Sequence, residues 1–125
     1  MPTPEELRSL IAGYVDTINA RDPEAIAALF TEDASQADPA SNPPNVGRPA
    51  IATFFRNSIA ASDSWTFTAN AVHTCAANVA IDFRIDIVSG GAPMSISGIE
   101  VFEVNDAGLF SAVNAYWDES DLTFG

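Results

Sequence analysis

The stretch Val79–Ile87, VAIDFRIDI, alternates apolar side chains with alanine or charged side chains at every position. This period of two is typical of a β-strand that buries one face and exposes the other. The same period extends to both sides, so the sequence predicts a meander of antiparallel strands. Its parts are a region from Trp65, the stretch 79–87, a turn at Gly90-Gly91, a strand from about Pro93 to Val104, a turn at 105–108 and a last strand from about Leu109 to Trp117.

Helical patterns occupy the half of the chain that precedes these strands. The first helix starts at Thr3-Pro4-Glu5-Glu6, where Thr3 suits the N-cap and Glu6 completes a capping box. A second, short helix opens at Asp22-Pro23-Glu24. The apolar positions of the two are Leu7, Leu10, Ile11, Tyr14, Val15 and Ile18 in the first, and Ile26, Leu29 and Phe30 in the second.

A short extended piece is predicted at 33–38, followed by a stiff, proline-rich loop at 38–44. A third helix is predicted from Gly47 to about Ala61. Helices followed by a meander predict one α+β domain over residues 1–125, with the helices packed on one face of a curved sheet.

Charge excludes several classes of function. The chain of 125 residues has 17 acidic side chains and 5 basic ones, giving a formal net charge of −12. The basic residues are all arginines, and they are scattered along the sequence. Nucleic-acid binding requires a cationic stripe, which is missing, and anionic membrane surfaces are disfavoured for the same reason.

Other features favour a cytoplasmic protein. No apolar run approaches the roughly 18 residues of a membrane span. The acidic N-terminus has no apolar segment of the kind found in signal peptides. Cys75 is the single cysteine, so an internal disulfide is excluded and a reducing compartment is expected.

Glu100 is the most unusual residue of the predicted strands. The two faces of its strand carry Met94, Ile96, Gly98, Glu100, Phe102 and Val104 on one side, and Ser95, Ser97, Ile99, Val101 and Glu103 on the other. The first face is the more apolar, so Glu100 should point inward, where desolvation raises the pKa of a carboxyl group. A neutral acid there is a hydrogen-bond donor. An edge position open to solvent, or a structural ion pair, explains the same pattern.

Two further residues, Tyr14 and Asp38, are weak candidates for a catalytic role when each is considered alone. Tyr14 lies on the apolar stripe of the first helix, where a core tyrosine with a satisfied hydroxyl is the ordinary interpretation. Asp38 precedes Pro39 at the start of the rigid loop, where a carboxylate is ordinarily solvated or caps a turn.

The whole chain resembles the bacterial ketosteroid isomerases of the NTF2-like (SnoaL-like) superfamily. The resemblance rests on Tyr14-Val15-Asp16, the run from Asp22 to Ala34, Asp38-Pro39, the run from Gly47 to Ile51, Phe54-Phe55 and Ala115-Tyr116-Trp117. It implies a cone-shaped α+β fold around an apolar pocket, and a homodimer. Because the superfamily also contains polyketide cyclases, dehydratases, an epoxide hydrolase and binding proteins, the fold alone does not imply the activity.

The resemblance implies a steroid Δ-isomerase without a cofactor or metal. Asp38 would be the general base that moves a proton from C4 to C6 of a 3-oxo-Δ5-steroid. Tyr14 and a protonated Glu100 would donate hydrogen bonds to the C3 oxygen as it becomes a dienolate. The chain departs from the family pattern at Glu100, where the family has Asp. Phe30 and Phe55 replace tyrosines of some relatives, so an extended tyrosine network around Tyr14 is not expected.

Four residues are predicted to line the steroid pocket, although each fits the plain core equally well: Phe54, Phe83, Val101 and Trp117. A cis bond is predicted at Pro39, aiming Asp38 into the cavity. The strand alternation gives a competing expectation for Val101, because Val101 and Ile99 lie on the face opposite Glu100, where they favour a dimer contact through the sheet.

Two polar clusters are assigned no catalytic role. His73 and Cys75 are too few ligands for a zinc site, and His73 is the only histidine. Asp82, Arg84 and Asp86 share one strand face, and an Asp–Arg–Asp cluster of this kind could activate water in an epoxide-hydrolase-like relative. A polar sheet face or a dimer contact is the simpler interpretation of these three residues.

Overall fold

The fold combines three helices with one seven-stranded sheet, and the computed structural model describes all residues from Met1 to Gly125. The elements are α1 (Pro4–Ala20), α2 (Pro23–Ala27), β1 (Phe30–Ala37), β2 (Asn45–Val46), α3 (Arg48–Ala60), β3 (Ser64–Cys75), β4 (Asn78–Ser89), β5 (Ala92–Val104), β6 (Phe110–Tyr116), a short 3₁₀ turn (Glu119–Asp121) and β7 (Leu122–Phe124). This is the predicted α+β architecture.

Helix α1 begins as the sequence predicts. The Thr3 side chain accepts a hydrogen bond from the Glu6 backbone N–H, and the Glu6 side chain accepts one from the Thr3 N–H. These two bonds satisfy donors that a helix start leaves free. The residues that α1 buries at helical spacing are Leu7, Ile11, Tyr14 and Ile18. Tyr14 is thereby directed at the sheet.

The sheet has the strand order β2-β1-β6-β5-β4-β3, and β7 pairs with the N-terminal half of β5. Strands β3 to β6 form the predicted antiparallel meander, while β1 pairs with β6 in parallel. The period-two prediction for β4 is confirmed, because Val79, Ile81 and Phe83 are buried and Asp82 and Arg84 are exposed. The inner face of the sheet and the helices together bury one hydrophobic core.

The structure corrects the predicted boundaries after α2. Helix α2 ends at Ala27, and Phe30 begins strand β1, where it pairs with Phe110 of β6. The short pairing of β2 with β1 and the C-terminal strand β7 were also not predicted. Strands β1 and β7 depend on pairing with strands far away in the sequence, which a local hydrophobic pattern does not encode. Strand β2 has only two residues, too few to show a period.

The loop after β1 contains the predicted cis peptide bond between Asp38 and Pro39. None of the helices combines the length and the apolar character needed to cross a bilayer.

Candidate active site

An apolar cavity of about 200 Å³ lies between α1, α3 and the inner face of the sheet. Eleven of the 15 residues that line it are hydrophobic. The three residues that the sequence singled out for chemistry all reach it: Tyr14 from α1, Asp38 from the end of β1 and Glu100 from β5.

Glu100 is buried in the middle of β5, with only 5% of its surface exposed. The pleat of the strand turns it inward, between its neighbours Ile81 on β4 and Ala115 on β6. Its Oε1 has no hydrogen-bond partner. Burial raises the pKa of this carboxyl well above its ordinary value, and the charge of Asp38 raises it further, while the bond from Tyr14 opposes both. The neutral acid, a hydrogen-bond donor, is therefore the favoured form.

Tyr14 presents a second neutral donor beside Glu100. Its ring lies edge-on to Phe67, Phe102 and Phe110, with centroids 5.8, 5.0 and 5.7 Å away. Its hydroxyl donates to Glu100 Oε2 at 3.4 Å, which is long for an O–H···O bond. Burial raises the pKa of Tyr14 well above its ordinary value, and the negative charge of Asp38 raises it further. The hydroxyl keeps its proton and is held only weakly by its neighbour.

Asp38 occupies a more polar position than Glu100. It is half-buried, and the indole Nε1–H of Trp117 donates to its Oδ1 at 2.6 Å. Burial raises the pKa of Asp38, but the indole hydrogen bond favours the carboxylate and opposes that rise. The cavity thus contains two carboxyl groups in contrasting environments.

This arrangement has a definite chemical capacity. Two neutral O–H donors at one end of an apolar cavity stabilise negative charge that develops on a ligand oxygen. A carboxylate on the same cavity wall accepts a proton from the ligand and returns it. The site is therefore equipped to form and discharge an oxyanion. No group of three or more His, Cys, Asp or Glu residues lies close enough together to hold a metal ion.

The structure places three of the four predicted wall residues on the cavity: Phe54, Phe83 and Trp117. The prediction for Val101 is wrong. Val101 follows the inward-facing Glu100 directly, so the alternation of the strand turns its side chain to the outer face of the sheet.

Several residues of the site were not singled out from the sequence. Ser58 and Ser62 line the cavity. Ser58 follows Phe54 by four residues and so shares its face of α3, whereas Ser62 lies just beyond the end of that helix. Gly98 is required by close packing, because a Cβ there would lie 2.5 Å from the Tyr116 carbonyl oxygen and 3.1 Å from the Trp117 Cβ. A glycine in a strand signals such close approach but not its partner.

The polar cluster of β4 lies outside the cavity. Asp82, Arg84 and Asp86 are exposed, and Arg84 forms a salt bridge with Asp86 at 2.9 Å. These residues are a polar sheet face, as the simpler interpretation predicted. Cys75 is also exposed, at the end of β3.

The family model of the SnoaL-like domain matches residues 11–113, so the chain belongs to the SnoaL-like family. The chain is also similar to a protein named steroid Delta-isomerase from Nocardioides simplex. The two are 29% identical over 117 residues, which cover 94% of each chain.

Two solved structures have the same fold over their full lengths and the full length of this chain. The epoxide hydrolase/cyclase-like enzyme SalBIII, described in pyran ring formation in the polyether salinomycin, matches with a TM-score of 0.92 and 21% identity. RV0760c from Mycobacterium tuberculosis matches with a TM-score of 0.89 and 24% identity. At these identities the two structures confirm the cone-shaped fold.

The indole bond generates a prediction about the pKa of Asp38. The Trp117→Phe substitution removes the donor to Oδ1 and leaves the burial, so the pKa of Asp38 should rise. Carboxyl-carbon NMR titration of labelled aspartate measures this value. The matched control is Trp65→Phe, because the Trp65 indole donates to the Ile18 carbonyl and not to Asp38. An Asp38 pKa that is equal in the two variants, or lower in Trp117→Phe, contradicts the assignment.

The burial of Glu100 generates a prediction about stability. At pH values below its ordinary pKa of 4.5, the carboxyl is protonated in both the folded and the unfolded chain. Above that pH the unfolded chain releases the proton and the folded chain keeps it, so the free energy of unfolding falls by up to about 1.4 kcal/mol per pH unit. The free energy of unfolding continues to fall until the pH exceeds the pKa of Glu100 in the folded chain.

Glutamine cannot ionise, so Glu100→Gln should remove this part of the decline. Urea unfolding of both proteins from about pH 5 to 8 measures the difference. The two stability curves should diverge as the pH rises, with the wild type losing more. Curves that stay parallel would show that Glu100 ionises equally in both states.

Proposed function

We propose that this SnoaL-like protein is a steroid Δ-isomerase that converts 3-oxo-Δ5-steroids to their Δ4 isomers. One observation carries the proposal: a buried Glu100 with an unpartnered oxygen lies beside the Tyr14 hydroxyl in an apolar cavity that also contains Asp38. The relative named steroid Delta-isomerase, which matches over 94% of both chains, supports it.

The proposed reaction moves one proton and two electron pairs. The Asp38 carboxylate removes a proton from C4, and the electron pair of that C–H bond forms the C3–C4 double bond as charge moves to the C3 oxygen. Tyr14 and Glu100 donate hydrogen bonds to this dienolate oxygen. The Asp38 acid then returns the proton to C6, which leaves the C4–C5 double bond conjugated with the ketone. The substrate's atoms are conserved, and Asp38 ends as it began.

The two carboxyl groups divide the roles according to their surroundings. A general base must be ionised before it acts, and half-buried Asp38 with its indole donor is the better anion. A donor acid must be neutral, which the deeper burial of Glu100 favours. The negative charge of Asp38 also raises the pKa of Glu100, so ionisation of one carboxyl favours the neutral form of the other.

Glu100 is longer by one methylene than the aspartate of the ketosteroid isomerase pattern. Its Oε2 faces the Tyr14 hydroxyl and its Oε1 is free. We propose that Oε1 carries the carboxyl proton of Glu100 and donates a hydrogen bond to the ligand oxygen. The weak 3.4 Å bond to Tyr14 is replaced when both donors turn to that oxygen.

We also propose a homodimer through the outer face of the sheet. Ile99 and Tyr116 are cross-strand neighbours there, and they are 43% and 55% exposed. Large apolar side chains paired on an exposed face favour association with a second copy. Sedimentation that finds only a 13.2 kDa species at micromolar concentration contradicts the dimer.

The isomerase proposal predicts that the protein converts a 3-oxo-Δ5-steroid, seen as rising ultraviolet absorbance of the conjugated enone. Asp38→Asn should lower the rate by about 10²–10⁴-fold, because it removes the base. Tyr14→Phe should lower it by about 10²–10³-fold, because it removes one oxyanion donor.

The matched control is Asp33→Asn, an exposed aspartate of the same strand that lies outside the cavity. It should convert the steroid at the wild-type rate. A wild-type rate no higher than buffer contradicts the isomerase, and steroid binding without turnover then identifies a binding protein. An undiminished rate in Asp38→Asn contradicts the assigned base.

A further inference from the structure

The cavity has a second polar end, distant from Tyr14 and Glu100. Glu100 pairs with Ile81 on β4, and the cavity extends along that strand to Ile87. Ile87 lies six residues after Ile81, and six residues of a β-strand span about 20 Å. Ser58 and Ser62 also line the cavity. Ser62 contacts Arg21, which directly follows α1. Arg21 is seven residues after Tyr14, a distance of about 10 Å along the helix axis. The cavity is thus an elongated slot with hydroxyl groups at its far end.

The hydrogen atoms of both serine hydroxyls are already used. Ser58 Oγ donates to the Phe54 carbonyl oxygen at 2.9 Å, and Ser62 Oγ donates to the Ser58 carbonyl oxygen at 3.0 Å. A carbonyl oxygen has no hydrogen, so the hydroxyl must be the donor in each bond. Each serine hydroxyl can therefore offer a ligand only its lone pairs.

Arg21 fixes this end of the slot. Its guanidinium donates to Ser62 Oγ at 3.1 Å, to the Ser62 carbonyl at 2.9 Å and to the Ile59 carbonyl at 3.1 Å. It also lies 4.6 Å from the centroid of the Trp65 ring, over its face. Arg21 thereby occupies one lone pair of Ser62 and opposes reorientation of its hydroxyl. Ser58 and Ser62 together keep three lone pairs and no free hydrogen.

We propose that Ser58 and Ser62 form a subsite for a hydroxyl group at the end of the ligand remote from the carbonyl bound by Tyr14 and Glu100. The inference rests on the proposed function and specifies its substrate class as a hydroxylated 3-oxo-steroid. A hydroxyl donates to the free lone pairs. A ketone at the same place has no hydrogen to donate, and it gains a bond only if a serine gives up its backbone carbonyl.

The test compares the 17β-hydroxy, 17-oxo and 17-deoxy forms of androst-5-en-3-one. The 17β-hydroxy substrate should have a KM about three- to tenfold below those of the other two, which is the effect of one neutral hydrogen bond. The double substitution Ser58→Ala with Ser62→Ala should raise the KM of the hydroxylated substrate towards that of the deoxy form. Ser97→Ala, on the outer face of β5, is the matched control and should leave the preference unchanged.

Binding is measured separately from turnover with the corresponding Δ4-3-ketones. Trp65 and Trp117 both line the slot, so their fluorescence reports occupancy. Tighter binding of the hydroxylated ketone that the double substitution abolishes supports the subsite even if no substrate is isomerised. Turnover of all three substrates with equal KM overturns the subsite and leaves the isomerase intact. Absence of binding and turnover for every steroid overturns both.

Discussion

The side chain of Glu100 is removed from water without a cation to neutralise it. A carboxylate in such a place costs several kcal/mol, whereas the protonated acid costs far less. The surroundings that impose this cost are structural, because β5 lies between β4 and β6 and its pleat directs Glu100 into the cavity. The protein therefore contains a buried donor with one unsatisfied oxygen. In the proposed reaction, the ligand oxygen is the partner of this group.

The fold places the second carboxyl group of the cavity, that of Asp38, in different surroundings from Glu100. Asp38 stands at the end of β1, at the edge of the cavity, with one oxygen held by the Trp117 indole. Gly98 permits the close packing of β6 against β5 that brings Trp117 to this position. The aromatic residues around Tyr14 stabilise the core and exclude water from its hydroxyl at the same time. Folding and chemistry therefore depend on the same contacts.

The features of the fold and of the site that depend on a local sequence pattern could be predicted from the sequence. The capping box at Thr3 and the alternation of β4 are set by neighbouring residues, and the structure confirms both. The inward direction of Glu100 follows from the same alternation, which also contradicts the pocket prediction for Val101. The role of Phe30 in β1 was not predictable in this way, because its partner Phe110 is eighty residues away along the chain. The convergence of Tyr14, Asp38 and Glu100 was expected only through the resemblance to a known family.

The protonation state of Glu100 decides whether the cavity contains a buried donor or a second anion. Carboxyl-carbon NMR of glutamate-labelled protein, with Glu100→Gln to assign the resonance, reports that state across the pH range. We expect a protonated Glu100 at pH 7, because burial without a neighbouring cation raises its pKa well above the ordinary value of 4.5. A Glu100 that is ionised at pH 7 and titrates near 4.5 would contradict this assignment, because the cavity would then contain a second anion where the proposed reaction requires a donor.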